Sequence, residues 1–456
     1  MKTFFMQLQV VPTRENENYD MAEGALVGCW ILETDPEVAF AKATFQVSKY
    51  DWLITGVETP PIEVTQENFV GEDIGAEQYA KAQQEGLAFF YVGWARDKKT
   101  SVEPITIRPS FKPNVESHLR KQKQEKNRGR CLHYDGGVRC REYINAHSIQ
   151  KNQALSAISR DGHVYTPSAN MTTLRENRGA PAYELNGIGT VSTFLGFCKK
   201  HDNELFAPID NSLLLPTNEQ VFLYAYRSIC REVFVKDNAL NLITHKINDI
   251  PANNFLRGHL EAFKAGTEIG FKNLKRHKSN YDDSLRKSAF NDIKHALFTF
   301  KGAPPIAFSG LFYPDYDFKG TQLQYLADHR NDFDLITFCS APMAKGWGFL
   351  FAWHHTSSQI CNRFLSSLFE EMSTGSRVAD MLFRLVISAC ENHAISPIWW
   401  EQLPKDHKEE ISRTFGCTVS SFSPTKATYL AKGLEGIAEW DLSSVITNTD
   451  LAPNLR

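Results

Sequence analysis

No stretch of this 456-residue chain approaches the roughly 20 apolar residues that crossing a bilayer requires, so no membrane association is expected. The N-terminus, MKTFFMQLQVVPTRENENYD, has one Lys and a few apolar residues, then turns polar without a small-residue cleavage site. No signal peptide is read there, and the expected location is cytoplasmic. The nine cysteines are odd in number and scattered, which is not the pattern of an extracellular disulfide framework. In a reducing compartment, clustered cysteines are read first as metal ligands. The chain also lacks a GxSxG elbow, a Walker A loop, a Rossmann fingerprint and any repeat of solenoid period.

What is present is ordinary in bulk: 42% hydrophobic, 23% charged and a net charge of -3, a composition that excludes disorder for most of the chain. The length allows two to four domains. The 31 Phe favour thick, packed cores. Residues 1–105 alternate short apolar strands (FFMQLQV, ALVGCWIL, WLITGVE, LAFFYVGWA) with amphipathic helices (DPEVAFAKATFQVSKY, EQYAKAQQEG), and predict a small α+β domain of ferredoxin-like type. Cys29 and Trp30 fall in a strand run and belong to its core. The domain carries no phosphate loop or acid/base cluster, so partner docking is its expected role. Residues 106–130, with Pro109 and Pro113, read as a basic linker that becomes a short helix.

Within that linker Arg120, Lys121, Lys123, Lys126, Arg128 and Arg130 stand against a single acid, Glu125. The run is either a solvated helix end or a phosphate-binding arm. Residues 131–212 form the metal-bearing module, and residues 213–456 a C-terminal, mainly helical α+β region. There EQVFLYAYRSICREVFVK is helical by period. The stretch 254–300 predicts an antiparallel helical pair broken near Ser279–Asp283. PIAFSGLFY, FDLITFCSA and GWGFLFAWHH read as strands, SQICNRFLSSLFEEMS and RVADMLFRLVISACENHA as helices, and the segment after Leu430 as peripheral.

The metal constellation starts at CLHYDGGVRC, where Cys131 and Cys140 bracket an Asp-Gly-Gly turn, the positive φ open to Gly being the expected reason for it. Two thiolates from the arms of such a hairpin can meet one ion. In GFCKKHDNELF, Cys198 and His201 have the spacing that lets the first turn of a helix present both side chains to one point. The four make the Cys₃His set of a closed structural zinc site. His133 is the alternative to His201.

Between the pairs, YINAHSI alternates as a strand that delivers His147 near its end. Here the sequence resembles the HNH or treble-clef finger nucleases over residues 131–206. AHSIQKN, GHVY and GFCKKHDNELF are also similar to uncharacterised bacterial proteins of phage-defence type. The resemblance implies that His147 is the general base that activates water, and that Asp202 is a ligand of a catalytic divalent ion such as Mg²⁺. The base-orienting Asn is either Asn170 or Asn186. The chain departs from the family pattern at Ala146, where many members carry a metal-binding Asp or His, and in the long spacing before Cys198.

The other histidines are weaker candidates. His354 and His355 have no Cys or acid at ligand spacing. Glu391-Asn392-His393 ends a helix, and His163 is a hairpin residue. FKNLKRHK, Phe271–Lys278, is a solvated helix face or a second nucleic-acid surface. The expected function is thus an HNH-like zinc protein that binds nucleic acid, DNA favoured, and cleaves it if the catalytic pair is real. The rival readings are a non-catalytic zinc-stapled protein and an adaptor in a defence assembly. Protein partners or self-association would use residues 1–105 or the C-terminal region.

Overall fold

The computed structural model describes residues 1–69, 73–95, 115–137, 140–168, 173, 181–250, 255–326, 332–419 and 427–451. Pro109, Pro113 and Asn170 lie outside the described residues. The chain is mixed α+β and divides into two compact units. One comprises residues 1–115, 243–265 and 419–426, and the other 116–242, 266–418 and 427–456. No helix among the described residues is long and apolar enough to cross a membrane.

The first unit is built on β1 (Lys2–Pro12), β2 (Ala22–Glu33), α1 (Pro36–Lys49), β3 (Trp52–Val64), α2 (Asp73–Glu85) and β4 (Leu87–Ala95). Period-two alternation divides each strand between two faces. Phe4, Met6, Leu8 and Val10 of β1 join Val27, Cys29 and Ile31 of β2 against Ala39, Phe40, Ala43 and Val47 of α1. Phe5, Trp30, Ala88 and Phe90 turn the other way, toward Phe69, Tyr79 and Ala82 of the α2 side. Asp35 caps α1, accepting from the N–H groups of Glu37 and Val38. The sheet order is β3-β1-β2-β4, and every neighbouring pair is antiparallel. This corrects the ferredoxin-like expectation. That topology needs a helix between its first two strands, whereas β1 and β2 pair directly from Lys2↔Glu33 to Val10↔Ala25.

The second unit contains α3 (Val115–Lys126) from Glu116 on, β5 (Tyr143–His147), β6 (His163–Ser168), β7 (Ala182–Gly187), β8 (Thr193–Cys198) and α4 (Lys199–Leu205). These are followed by α5 (Asn218–Asp249) up to Leu242 and α6 (Phe255–Arg286) from Gly266 on, then β9 (Ile293–Phe300), β10 (Ile306–Phe312), β11 (Ile336–Pro342) and β12 (Trp347–His354). Last come α7 (Ser358–Ser373), α8 (Val378–Ala389), β13 (His393–Ile395), α9 (Pro397–Gln402), α10 (Lys405–Val419) and β14 (Leu442–Thr447). An eight-stranded sheet in the order β14-β9-β12-β11-β10-β13-β6-β7 is its centre, and β5 and β8 form a separate two-stranded sheet. The middle strands are buried on both sides, which explains their unbroken apolar runs. One face carries Leu297, Cys339, Leu350 and Ala352 against Phe222, Tyr226 and Ile229 of α5. On the other face Phe298 meets Phe369 of α7, and Phe351 meets Phe364. Gly346 (φ +86) closes the β11–β12 turn, where a Cβ would sit 1.9 Å from the Phe300 carbonyl oxygen.

Several expectations change here. The 131–212 module is not a separate compact unit. Residues 148–192 leave the β5–β8 pair, contribute β6 and β7 to the edge of the large sheet, and bury Ile149, Leu155, Ile158 and Val164 with Ala307, Trp347 and Ala394. The helical pair is α5 with α6, α6 runs unbroken to Arg286, and the apolar run 293–300 is strand β9. The C-terminal region is helix-rich α+β, as expected, with its strands gathered in one sheet. The segment after Leu430 is not peripheral: Leu430 and Leu434 are buried, and β14 pairs with β9. The apolar helix α8 stops at Ala389, so His393 lies in β13, not at a helix end. Phe351→Ala, in the fully buried middle of the sheet, is expected to cost about 3–5 kcal/mol in a denaturant titration. Ile446→Ala, on the edge strand β14, should cost about 1 kcal/mol or less.

Candidate metal centre

Cys131, Cys140, Cys198 and His201 come together, with one ligand atom from each within 4.8 Å of the others. The His201 Nδ1 lies 3.2 Å from the Cys131 Sγ and 3.5 Å from the Cys140 Sγ. Three stretches of chain are responsible. Residues 130–132 run beside β8, Arg130 and Leu132 donating their N–H groups to the Leu195 and Gly196 carbonyls. A turn then carries the chain to Cys140, just ahead of β5. Antiparallel pairing of β5 with β8 sets Tyr143 opposite Cys198. Cys198 is also the N-cap of α4, so His201 follows in the first turn.

The cap position matters electrostatically. Burial alone would push the Cys198 thiol up, but the backbone N–H groups of His201 and Lys200, with the neighbouring thiols, hold it below its ordinary value. Cys131 is pushed up to about 12, chiefly by burial, when no cation is there to stabilise its thiolate. Such a set is suited to a cation that converts thiols to thiolates. Gly136 is required for a reason the sequence does not show. It is not a positive-φ residue; a Cβ there would lie 2.6 Å from the Cys131 carbonyl oxygen and 2.7 Å from that of His133. His133 is outside the ligand group: its ring stacks on His201 at 4.2 Å, and its Nδ1 accepts from the Asp135 N–H.

The loop is braced by the helical pair. The Tyr226 hydroxyl lies 2.6 Å from the Asp282 Oδ1 and 3.3 Å from the Leu132 carbonyl, and the Arg286 guanidinium lies over the Tyr134 ring. Arg130 donates to the Phe234 carbonyl at 2.8 Å, stacks over the Phe234 ring and pairs with Asp237. Lys121 and Arg128 both pair with the buried Glu125 at 2.8 Å, and Arg128 also pairs with Asp237. Arg128 and Arg130 therefore fasten the loop after α3 onto α5, while Lys121 pairs within α3 with the carboxylate that Asn241 of α5 also reaches. Arg120, Lys123 and Lys126 are exposed and have no ion-pair partner among the described residues. In Phe271–Lys278 the residues Arg276, His277 and Lys278 also turn inward, to the Phe333 carbonyl and to Asp282. That stretch is thus not a simple solvated face.

His147 ends β5 opposite Thr193, at the far end of the ladder from Cys198. Its Nε2 lies 3.2 Å from the Ile188 carbonyl oxygen. Burial lowers its pKa, and the imidazole is neutral near pH 7. Asp202 is buried with an unpartnered Oδ1, and burial raises its pKa. Both side chains feel Arg227 and Asp210, which pair at 2.7 and 2.8 Å. Among the described residues neither belongs to a group of three or more gathered metal-ligand atoms. Asn186 donates its amide N–H groups to the Thr166 hydroxyl and the Glu184 carbonyl, while the His147 ring contacts Ile188. His163 is exposed on β6, with Nδ1 2.8 Å from the Asp161 carbonyl oxygen.

No protein-family model, curated protein or solved structure matches this chain. The reading of the site therefore rests on its own chemistry. Sequence spacing does not single out Asp292, which the β9–β12 pairing brings to His354 and His355; nothing local in the sequence signals it. The purified chain is expected to carry one tightly held metal ion by elemental analysis. Cys131→Ser should remove it, and Gly136→Ala should release it to a chelator faster than the native chain does. Full retention by both variants would dissociate the four residues from the metal.

Proposed function

We propose that this chain is a zinc-stapled, HNH-like protein that binds nucleic acid, DNA being the favoured ligand. Zinc is the ion that suits three thiolates and an imidazole in closed tetrahedral array. Zn–S and Zn–N bonds of ordinary length would hold sulfur and nitrogen about 3.6 Å apart, close to the 3.2 and 3.5 Å between His201 and its two cysteines. The order of metal loop, β5, β8 and α4 is what supports the HNH-like part of the reading. The observation that carries the nucleic-acid part is the outward side of α3. Arg120, Lys123 and Lys126 recur there at three-residue spacing, unpaired and exposed, a few residues ahead of Cys131. Cations without internal partners are available to displace counterions from phosphates.

Metal-dependent cleavage is the second reading, and one observation favours it. A His147 ring that donates its Nε2–H to Ile188 leaves the Nδ1 lone pair free to take a proton. The burial of Asp202 and the alanine at 146 favour the zinc-stapled reading without catalysis, in which the chain works as an adaptor or binding protein in antiviral defence. Under that reading protein partners or a second copy meet residues 1–105 or the C-terminal region, residues 213–456.

Two triple variants separate the cations by task. Replacing Arg120, Lys123 and Lys126 by Gln should weaken DNA binding and reduce its salt slope by about 0.9 for each phosphate no longer neutralised, with the melting temperature unchanged. Replacing Lys121, Arg128 and Arg130 should instead lower the melting temperature, because the buried Glu125 loses both of its cations and Asp237 loses its own. An unchanged salt slope in the first variant would remove the nucleic-acid reading. For cleavage, His147→Ala should abolish Mg²⁺-dependent hydrolysis, an effect of about 10²–10⁴ in rate, while affinity stays within about twofold of the native chain.

A further inference from the structure

The pairing of β9 with β12 ends at Ile293↔His354. The residue before Ile293 and the residue after His354 therefore leave the same end of one ladder. They are Asp292, which closes the 3₁₀ turn Phe290–Asp292, and His355, which opens the 3₁₀ turn His355–Ser357. Along a continuing strand His354 and His355 would point to opposite faces. The change from strand to 3₁₀ turn brings their rings to the same side instead, with centroids 4.4 Å apart. One ligand atom each from Asp292, His354 and His355 lies within 4.8 Å of the others. We propose that these three side chains form a second metal site, open to solvent, for a divalent ion of the zinc, cobalt and nickel class.

The surroundings fit that role. The His354 Nδ1 is 2.9 Å from the Thr356 Oγ1, and its Nε2 is 3.4 Å from the Ser284 Oγ of α6. That serine hydroxyl donates to the Asp292 Oδ2 at 2.6 Å. The Thr356 N–H donates to the His354 Nδ1, and Ser284 links the Nε2 side of the ring to the Asp292 carboxylate, so the ring is held in place beside that carboxylate. Ser284 donates to the Asp292 carboxylate, and the two imidazoles are grouped with it. His354 is buried and His355 exposed, which provides a rigid inner ligand and an entry path from solvent. Two imidazoles and a carboxylate favour zinc, cobalt or nickel over magnesium or calcium, and three protein ligands leave a coordination position for water. The site shares no residue with the Cys₃His group and does not depend on the nucleic-acid reading.

The test uses the full chain with its cysteine site already loaded with zinc. Calorimetric titration with Zn²⁺, repeated with Co²⁺, should show one further ion per chain, and the added cobalt should give a spectrum without thiolate charge-transfer bands. His355→Ala removes an exposed side chain and keeps the fold. Asp292→Asn keeps the shape of the carboxylate and is the second variant. Each should weaken the second ion by at least about tenfold while the tightly held zinc remains at one per chain. Saturation of the native chain at a single ion overturns the proposal. So does a second ion that both variants bind as the native chain does, or cobalt uptake marked by thiolate bands.

Discussion

Three separated stretches of chain converge on one group, Cys131, Cys140, Cys198 and His201, that could hold a metal ion, and they meet around the β5–β8 pair. Two short strands alone are marginal in water, and this pair is bulged between Ile144 and Ala146. What fixes it is the coincidence at Cys198, which is at once the last residue of β8, the partner of Tyr143 and the N-cap of α4. The same residue that ends the strand starts the helix and belongs to the metal-capable group. Moving Cys198 by one position would turn its side chain to the other face of β8 and take it out of reach of the helix N–H groups. The loop from Cys131 to Cys140 has less freedom still, since the backbone at Gly136 packs directly on the carbonyls of Cys131 and His133.

Charge is used in two different ways on one helix. Glu125 is buried on the α5 side of α3 and gathers Lys121, Arg128 and the Asn241 amide around it. A buried carboxylate is tolerated because its partners replace the water it lost. Arg120, Lys123 and Lys126 on the outward side have no ion-pair partner among the described residues. A count of Lys and Arg over this run treats all six as one patch, whereas packing divides them into three that pair with Glu125 or Asp237 and three that face solvent.

The four metal-gathering residues are legible because each signal is local: a glycine turn between two cysteines, and a Cys-x-x-His at a helix start. The same holds for α1, α2, α7, α8 and the strands β10, β11 and β12, whose apolar patterns lie within their own segments. What stays hidden is relational. The run HALFTF carries no period that distinguishes a buried strand from a helix end, and after a long helix it reads as more of the same. The partner of Arg128 is Asp237 on another helix, and the partner of His354 and His355 is Asp292 at the foot of another strand. No spacing rule reaches across a sheet. The order of elements in the first unit is legible too, but not which strands pair. A hairpin between the first two strands excludes the ferredoxin-like topology even though the list of strands and helices is the same.

The insertion between β5 and β8 has a consequence for how the chain is made. β6 pairs on one side with β7 and on the other with β13, through Tyr165↔Ile395. During synthesis residues 131–205 emerge early and contain every ligand of the Cys₃His group, so this metal loop can close while most of the large sheet is still inside the ribosome. The β6–β7 hairpin then waits, with one edge bare, until Ile395 emerges. A bare, partly apolar edge is the feature through which nascent chains join one another. A metal ion taken early by the four residues would tie down both ends of the insertion during that interval, and would thereby guard a strand edge that it does not touch.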